Sequence, residues 1–219
     1  MKVLLVRHGE TDGNKSKRLQ LATVPLNANG FEQARLAGQR IAADFNVGAI
    51  VSSDLQRAKD TAGCISKEAG VEIELSPLLQ ERNFGDLRGT PFAELMKKNI
   101  RPFEKGFHPP NGESIDVFRD RVDQAWVHIQ KLGAALPEQE VLVVVTHGLV
   151  LDHLAKKYVD IPEDMRQYRI IPFRNTSVTL LNVVPGSRTG QVVDNVLNDD
   201  SHLESGHRDK AFGTYVSKL

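Results

Sequence analysis

The chain holds a single cysteine, Cys64, in 219 residues, so no disulfide can close within it. That fits a reducing compartment. Long apolar runs are also missing: nothing approaches the ~18 consecutive apolar residues of a membrane span. The opening Met1-Lys2-Val3-Leu4-Leu5-Val6 begins like a signal peptide, but the run stops at Arg7, well short of an apolar region of ~7–15 residues. Neither sign of charge dominates, with 28 lysines plus arginines against 28 aspartates plus glutamates. Nucleic acid and membrane surfaces are therefore not expected as partners, and any anion site has to be local. The expected address is the cytoplasm. Oligomeric state leaves no mark in the sequence.

What is present is ordinary soluble composition, 40% hydrophobic and 26% charged, in a length that suits one α/β domain. Val3–Val6 is an apolar run bounded by charge, which reads as a buried strand. Phe31, Ala34, Gly38, Ile41 and Phe45 recur every three or four residues, the face of an amphipathic helix over 30–45. Residues 49–51 read as a short strand. A helix comes next, with Leu55, Ala58, Ala62, Ile65 and Ala69 on one stripe and Ser53 or Asp54 placed to cap it. Residues 71–75 read as another strand. Residues 100–113, rich in proline and glycine, read as a loop or lid. Ser114 caps a long helix carrying Ile115, Phe118, Val122, Ala125, Ile129, Leu132 and Leu136. Val141–Val145 is the most apolar strand, and residues 149–158 read as helix. Two further strands, 177–184 and 191–197, flank a turn at Pro185-Gly186. A polar tail of uncertain order begins at Asp199. No internal repeat or low-complexity block appears.

Strands alternating with helices predict a three-layer α/β/α fold with a mostly parallel sheet. Ligands of such sheets bind beyond the carboxyl ends of the strands. Three segments fall there: Arg7-His8-Gly9, Ser52–Arg57 and Thr146-His147-Gly148. Arginine offers phosphate a planar fork of donors, and a helix opening after His147-Gly148 adds backbone N–H groups at its positive end. A neutral imidazole, with an ordinary pKa of ~6.5, is a competent nucleophile toward phosphorus.

These segments resemble those of the histidine phosphatase superfamily, the phosphoglycerate-mutase-like proteins. Leu5-Val6-Arg7-His8-Gly9-Glu10-Thr11 with Asn14 is similar to the family's opening motif. Ser52-Ser53-Asp54-Leu55-x-Arg57-Ala58-x-x-Thr61-Ala62, Glu81-Arg82-Asn83-Phe84-Gly85-x-x-x-Gly89, Gly112-Glu113-Ser114, Val145-Thr146-His147-Gly148 and Asn175-Thr176-Ser177 come after it in the family's order. The resemblance implies the phosphoglycerate-mutase-like fold over a catalytic domain of residues 1–198. It implies that His8 attacks phosphorus, that Arg7, Arg57 and His147 hold its oxygens, that Asn14 is a further donor, and that Glu81 protonates the leaving oxygen. Gln20, Leu21, Arg82 and Gly148 complete the expected substrate-binding set. The chain departs from the family at Gln20-Leu21-Ala22-Thr23-Val24-Pro25-Leu26, where a leucine replaces the usual glycine and a threonine the usual aspartate. That departure bears on the shape of the substrate pocket.

The activity so implied is that of a phosphohydrolase of the histidine acid phosphatase type, acting on a small phosphate ester with no cofactor. Two alternatives stand beside it. One is a phosphoglycerate mutase primed by 2,3-bisphosphoglycerate, which the short segment between Gly89 and Gly112 disfavours. The other is a non-catalytic phosphate-binding protein. No metal is expected: His147 and His153 are six apart, which is not the spacing of a helical zinc pair. His108, His128, His202 and His207 show no ligand spacing. Lys97, Lys98, Arg101 and Lys105 read as a solvated basic face, and Cys64 as structural. Asn198-Asp199-x-x-His202-Leu203 bears a faint resemblance to a tail found in phosphatase members.

Overall fold

The structure, a computed structural model, describes residues 1–104, 106–184, 187–194 and 196–208. In chain order its strands are β1 (Lys2–Arg7), β2 (Val47–Ser52), β3 (Ile73–Leu75), β4 (Val141–Thr146), β5 (Val159–Asp160), β6 (Val178–Val183) and β7 (Gly190–Val192). Its helices are α1 (Asp12–Lys15), α2 (Ala28–Asp44), α3 (Gln56–Ala69), α4 (Phe92–Lys97), α5 (Ile115–Ala134), α6 (Gly148–Tyr158) and α7 (Glu163–Arg166).

The strands form one sheet in the order β3-β2-β4-β1-β6-β7-β5. β3, β2, β4 and β1 run parallel to one another, while β6 is antiparallel to both β1 and β7. The mostly parallel three-layer sheet is thus as the alternation of elements predicts. All six residues of β4 are buried, as a strand covered on both faces requires. Leu142 and Val144 pack with Phe118, Val122 and Trp126 of α5 and Leu151 and Leu154 of α6. Val141, Val143 and Val145 point the other way, to Ile41 of α2 and Ala58, Ala62 and Ile65 of α3. Register places Arg7 beside Thr146 and Ser52 beside Val145. The three strand ends expected to carry chemistry are therefore adjacent.

Several details differ from expectation. Phe31 is 46% exposed. α2 instead buries Gly30, Gln33, Ala34, Ala37, Gly38 and Ile41. It lies so close to α3 that a Cβ on Gly38 would come within 2.9 Å of the Cys64 carbonyl oxygen, and a contact that tight selects small residues and turns an aromatic outward. Neither Ser53 nor Asp54 is the cap of α3. The capping position is Leu55, and Ser53 Oγ accepts from its N–H. The last strand is only Gly190–Val192, although Val193 and Val196 still exchange backbone hydrogen bonds with Leu180. The Pro185-Gly186 turn, Lys105 and residues 209–219 lie outside the described residues.

The polar tail is not separate from the domain over its described part. Asp199 pairs with Arg40 at 2.5 Å, and Leu203 is buried. His202 Nε2 lies 3.1 Å from Thr176 Oγ1, and His207 Nδ1 lies 2.8 Å from Asn29 Oδ1. Over its described residues the segment after residue 198 packs against α2 and the turn before β6 through these contacts. The 100–113 segment is irregular throughout its described residues, as expected.

Candidate active site

His8 directly succeeds β1, and its N–H donates to the Thr146 carbonyl of β4 at 2.9 Å. Its side chain is recessed, 2% exposed. Nδ1 lies 2.7 Å from the Gly9 carbonyl oxygen. A carbonyl only accepts, so Nδ1 carries the proton and Nε2 keeps its lone pair. Burial, then the charges of Arg57 and Arg7, hold the His8 pKa well below the ordinary 6.5. The ring is thus neutral and of one tautomer, the state a nucleophile needs. The loop beside it is fixed by two glycines back to back. A Cβ on Gly9 would meet the Gly30 carbonyl oxygen at 2.5 Å, and one on Gly30 would overlap the Glu10 carbonyl oxygen outright. Behind the strand, Asn175 Nδ2 donates to the His8 carbonyl and the Thr176 N–H to that of Arg7.

The cationic groups surround this ring. Arg7 is anchored through Nη1 to the Phe173 carbonyl at 2.7 Å. Arg57, in the first turn of α3, is anchored through Nη1 to the Leu21 carbonyl at 3.2 Å. Its burial lowers its pKa to about 10, so it stays charged near neutrality. His147 directly follows β4 as the N-cap residue of α6, its ring centroid 5.1 Å from that of His8. Its Nε2 lies 2.8 Å from Ser53 Oγ. That oxygen also accepts from the Leu55 N–H; when its own hydrogen is given to Nε2, the proton of a neutral His147 stands on Nδ1. Burial, then the charge of Arg57, depresses the His147 pKa as well. His147 Nδ1, Arg57 Nε and Asn14 Nδ2 are buried with no hydrogen-bond partner among the described residues. Buried donors are rarely left so, and three of them about one imidazole mark an anion site.

Glu81 lies on the 76–83 segment that follows β3. Its two oxygens accept from the N–H groups of Arg82 (2.9 Å) and Leu149 (3.1 Å), the latter at the start of α6. Burial raises its pKa, against the opposing pull of those N–H groups, Arg57 and Arg7. Arg121 holds the segment in place by donating to the carbonyls of Leu78 and Gln80. Glu113 in turn accepts two hydrogen bonds from Arg121, both at 2.8 Å, and one from the Asn83 N–H. This gives the Gly112-Glu113-Ser114 motif its physical meaning: Glu113 straps the Glu81 segment while Ser114 caps α5.

Arg7, His8, Asn14, Gln20, Arg57, Glu81 and Gly148 line one cleft, open to solvent at its mouth. Two expected substrate-binding residues are placed otherwise. The Arg82 guanidinium donates to the carbonyls of Pro102, Phe107 and Glu113, because the irregular 100–113 segment has few partners of its own for its carbonyls. It organises that loop rather than offering donors to a ligand. Leu21 is 49% exposed, and what it contributes is its carbonyl to Arg57. Lys97, Lys98 and Arg101 are exposed. His153 pairs with Asp123 on the far side of α6. Sequence reasoning missed Ser53 as the partner of His147, Arg121 as the brace of the Glu81 segment, and Arg88 with the apolar wall of the outer cleft. Only Ser53 lay inside a recognised motif in a position that drew attention.

Fold and site together define an α/β protein that gathers two histidines and two arginines at the carboxyl ends of parallel strands. The chain belongs to the histidine phosphatase superfamily (branch 1), whose family model matches residues 3–195. It is 33% identical to phosphoglycerate mutase-like protein 4 of Arabidopsis thaliana over 96% of this chain and 91% of that one. It is 34% identical to the uncharacterized phosphatase PhoE of Bacillus subtilis over 92% of this chain and 96% of that one. A mycobacterial glucosyl-3-phosphoglycerate phosphatase of known structure superposes with a TM-score of 0.67 at 26% identity, covering 82% of this chain and 89% of its own. Its relatives thus carry both phosphatase and mutase names. Among the described residues, no helix is long and apolar enough to cross a membrane.

Proposed function

We propose that this chain is a phosphomonoester hydrolase that acts on a small phosphorylated metabolite through a phosphohistidine on His8. The observation that carries the reading is the ring of unsatisfied buried donors about a neutral histidine whose free lone pair is on Nε2. A phosphoryl group supplies the missing acceptors. In the first step Nε2 attacks phosphorus, the P–O bond to the alcohol breaks, and Glu81 gives that oxygen its proton. In the second, Glu81 takes a proton from water, which attacks phosphorus and returns His8 to its free form. Arg7, Arg57, Asn14 and His147 stay fixed throughout and match the charge spread over the transferring group.

Hydrolysis is favoured over mutase chemistry by the cover. A mutase must keep water from its phosphohistidine, and here the segment between Gly89 and Gly112 carries one six-residue helix and an irregular loop beside an open-mouthed cleft. The test is a panel of phosphate esters with inorganic phosphate as the readout, including 3-phosphoglycerate with and without 2,3-bisphosphoglycerate. Phosphate release is expected. Isomerisation of 3-phosphoglycerate without release would make the chain a mutase primed by the bisphosphate.

Two further outcomes are expected. Because the arginines supply the positive charge that a metal would otherwise supply, turnover should be unchanged by EDTA. Complete loss on chelation, restored by magnesium or zinc, would remove this mechanism. The pH profile is set by the two shifted groups. Phosphorylation needs His8 unprotonated and Glu81 protonated. The His8 pKa lies below its ordinary value, so the acid limb of kcat/KM falls below 6.5. The Glu81 pKa lies above its ordinary value, so the alkaline limb falls above 4.5. With an alkyl phosphate, whose own ionisation is common to both proteins, Glu81→Gln should lose the alkaline limb set by Glu81. A profile identical in shape to wild type would show that another group sets it.

A further inference from the structure

Beyond the phosphoryl centre the cleft is walled by apolar side chains. Leu19, Phe84, Phe92 and Phe103 form a cluster of their own, with Phe103 set edge-on to Phe84 at 5.7 Å between ring centroids. Leu149 and Ile170 continue the wall. Hydroxyl groups of a sugar alcohol would be stranded against such a surface, whereas a flat or branched hydrocarbon would fit it.

Into this wall comes one cation with no evident purpose. Five arginines line the cleft: Arg7, Arg18, Arg57, Arg82 and Arg88. Arg7 and Arg57 belong to the phosphoryl centre. The Arg82 guanidinium is spent on three loop carbonyls. Arg18 is held by the Gly89 carbonyl and Ser16 Oγ. Arg88 alone of the five has a guanidinium with no hydrogen bond or ion pair among the described residues, and it is half-buried. The carboxylate nearest in charge, Glu113, is occupied by Arg121 and the Asn83 N–H. Arg88 is also close enough to the centre for its charge to lower the pKa of Arg57. Burial lowers that of Arg88 itself. An unpaired, partly desolvated guanidinium beside a binding cleft is a donor fork awaiting a planar or tetrahedral anion.

We propose that Arg88 is a specificity-determining residue, and that the substrate is a phosphomonoester whose alcohol portion is apolar or aromatic and carries a second anionic group that Arg88 binds. The proposal rests on the reading of the cleft as a phosphoryl-transfer site and adds the identity of what lies beyond the phosphorus. The phosphoryl group goes to Arg7, Arg57, Asn14 and His147, the hydrocarbon lies on the phenylalanine wall, and the far anion meets the Arg88 fork. The second anion is a carboxylate or another phosphate, since the fork takes either.

Non-hydrolysable phosphonates separate this proposal from the activity. Affinities are to be measured calorimetrically for benzylphosphonate, its 3- and 4-carboxy derivatives and p-xylylene diphosphonate, with the wild-type chain and with Arg88→Gln and Arg88→Lys. At least one doubly anionic compound should bind wild type ~10–100-fold more tightly than benzylphosphonate, the range of a charge-assisted hydrogen bond. That ratio should fall to within about threefold of unity in Arg88→Gln and be partly restored in Arg88→Lys. Which compound gains tells carboxylate from phosphate. Absence of any gain in wild type overturns the proposal without reference to a variant, and so does a gain that Arg88→Gln leaves intact. Hydrolysis of benzyl phosphate, assayed alongside, tests the activity separately. If it is not cleaved while the affinity ratio behaves as stated, the hydrolase reading falls and the second anion site stands.

Discussion

His8→Ala is expected to abolish turnover while leaving a folded protein that still binds vanadate. Loss of a nucleophile that works as a unit with its partners costs on the order of 10⁴–10⁶-fold in rate. The clamp does not depend on it. Arg7 is held by the Phe173 carbonyl, Arg57 by that of Leu21 and His147 by Ser53, and none of these contacts involves the His8 side chain. The ring is neutral, so its removal takes no counter-charge away from the two buried arginines. Turnover of the best ester in the panel and vanadate affinity by calorimetry measure the two halves. Near-normal turnover would show that another group attacks phosphorus. Lost vanadate binding in a folded variant would show that the ring, and not the surrounding donors, organises the anion site.

Glu81→Gln should distinguish leaving groups. An alkoxide departing from an alkyl phosphate needs a proton as the P–O bond breaks, whereas a nitrophenolate leaves without one. General acid catalysis typically contributes ~10²–10⁴-fold, so phosphorylation of the enzyme by an alkyl phosphate should slow by about that much, and by p-nitrophenyl phosphate far less. Glutamine keeps an oxygen that can accept from one of the Arg82 and Leu149 N–H groups now serving the carboxylate, so the segment should hold its place. Steady-state rates would hide the contrast, because the same carboxylate activates water in the second step. Measured before the steady state, the variant should release a burst of nitrophenol close to one per site and then turn over slowly. Equal slowing for both esters in the first step would leave Glu81 as a residue that shapes the pocket.

Much of this arrangement was legible in the sequence because it is built from strand ends. Val3–Val6 and Val141–Val145 are apolar on both faces, so they read as central strands, and the residues directly after each lie at its carboxyl end. That logic brings His8, Arg57 and His147 together from sequence alone. Short elements were not legible. α1 and α4 are a turn or two long and owe their shape to tertiary contacts rather than to a repeating apolar face. The helix face assigned to Phe31 failed because a spacing pattern cannot tell which of two apolar stripes meets a backbone at close range.

The outer cleft was illegible for a different reason. Leu19, Phe84, Phe92, Phe103, Leu149 and Ile170 come from separate segments, and nothing local marks them as neighbours. Arg88 stood in an unremarked position inside a recognised motif. Arg82, six residues earlier and in a more conspicuous position, serves the loop. Which arginine is free is settled by where backbone carbonyls fall, and sequence does not carry that.

The central claim is that phosphorus is bonded to His8 during turnover. Rapid quenching of wild-type chain with an ester carrying labelled phosphorus tests it most directly. The expected product is a phosphoenzyme that is labile in acid and stable in base, with the label on the peptide containing His8 and absent from His8→Ala. Full turnover with no label trapped on protein at any time, or label that is lost in base as from a carboxylate or a serine, would contradict it.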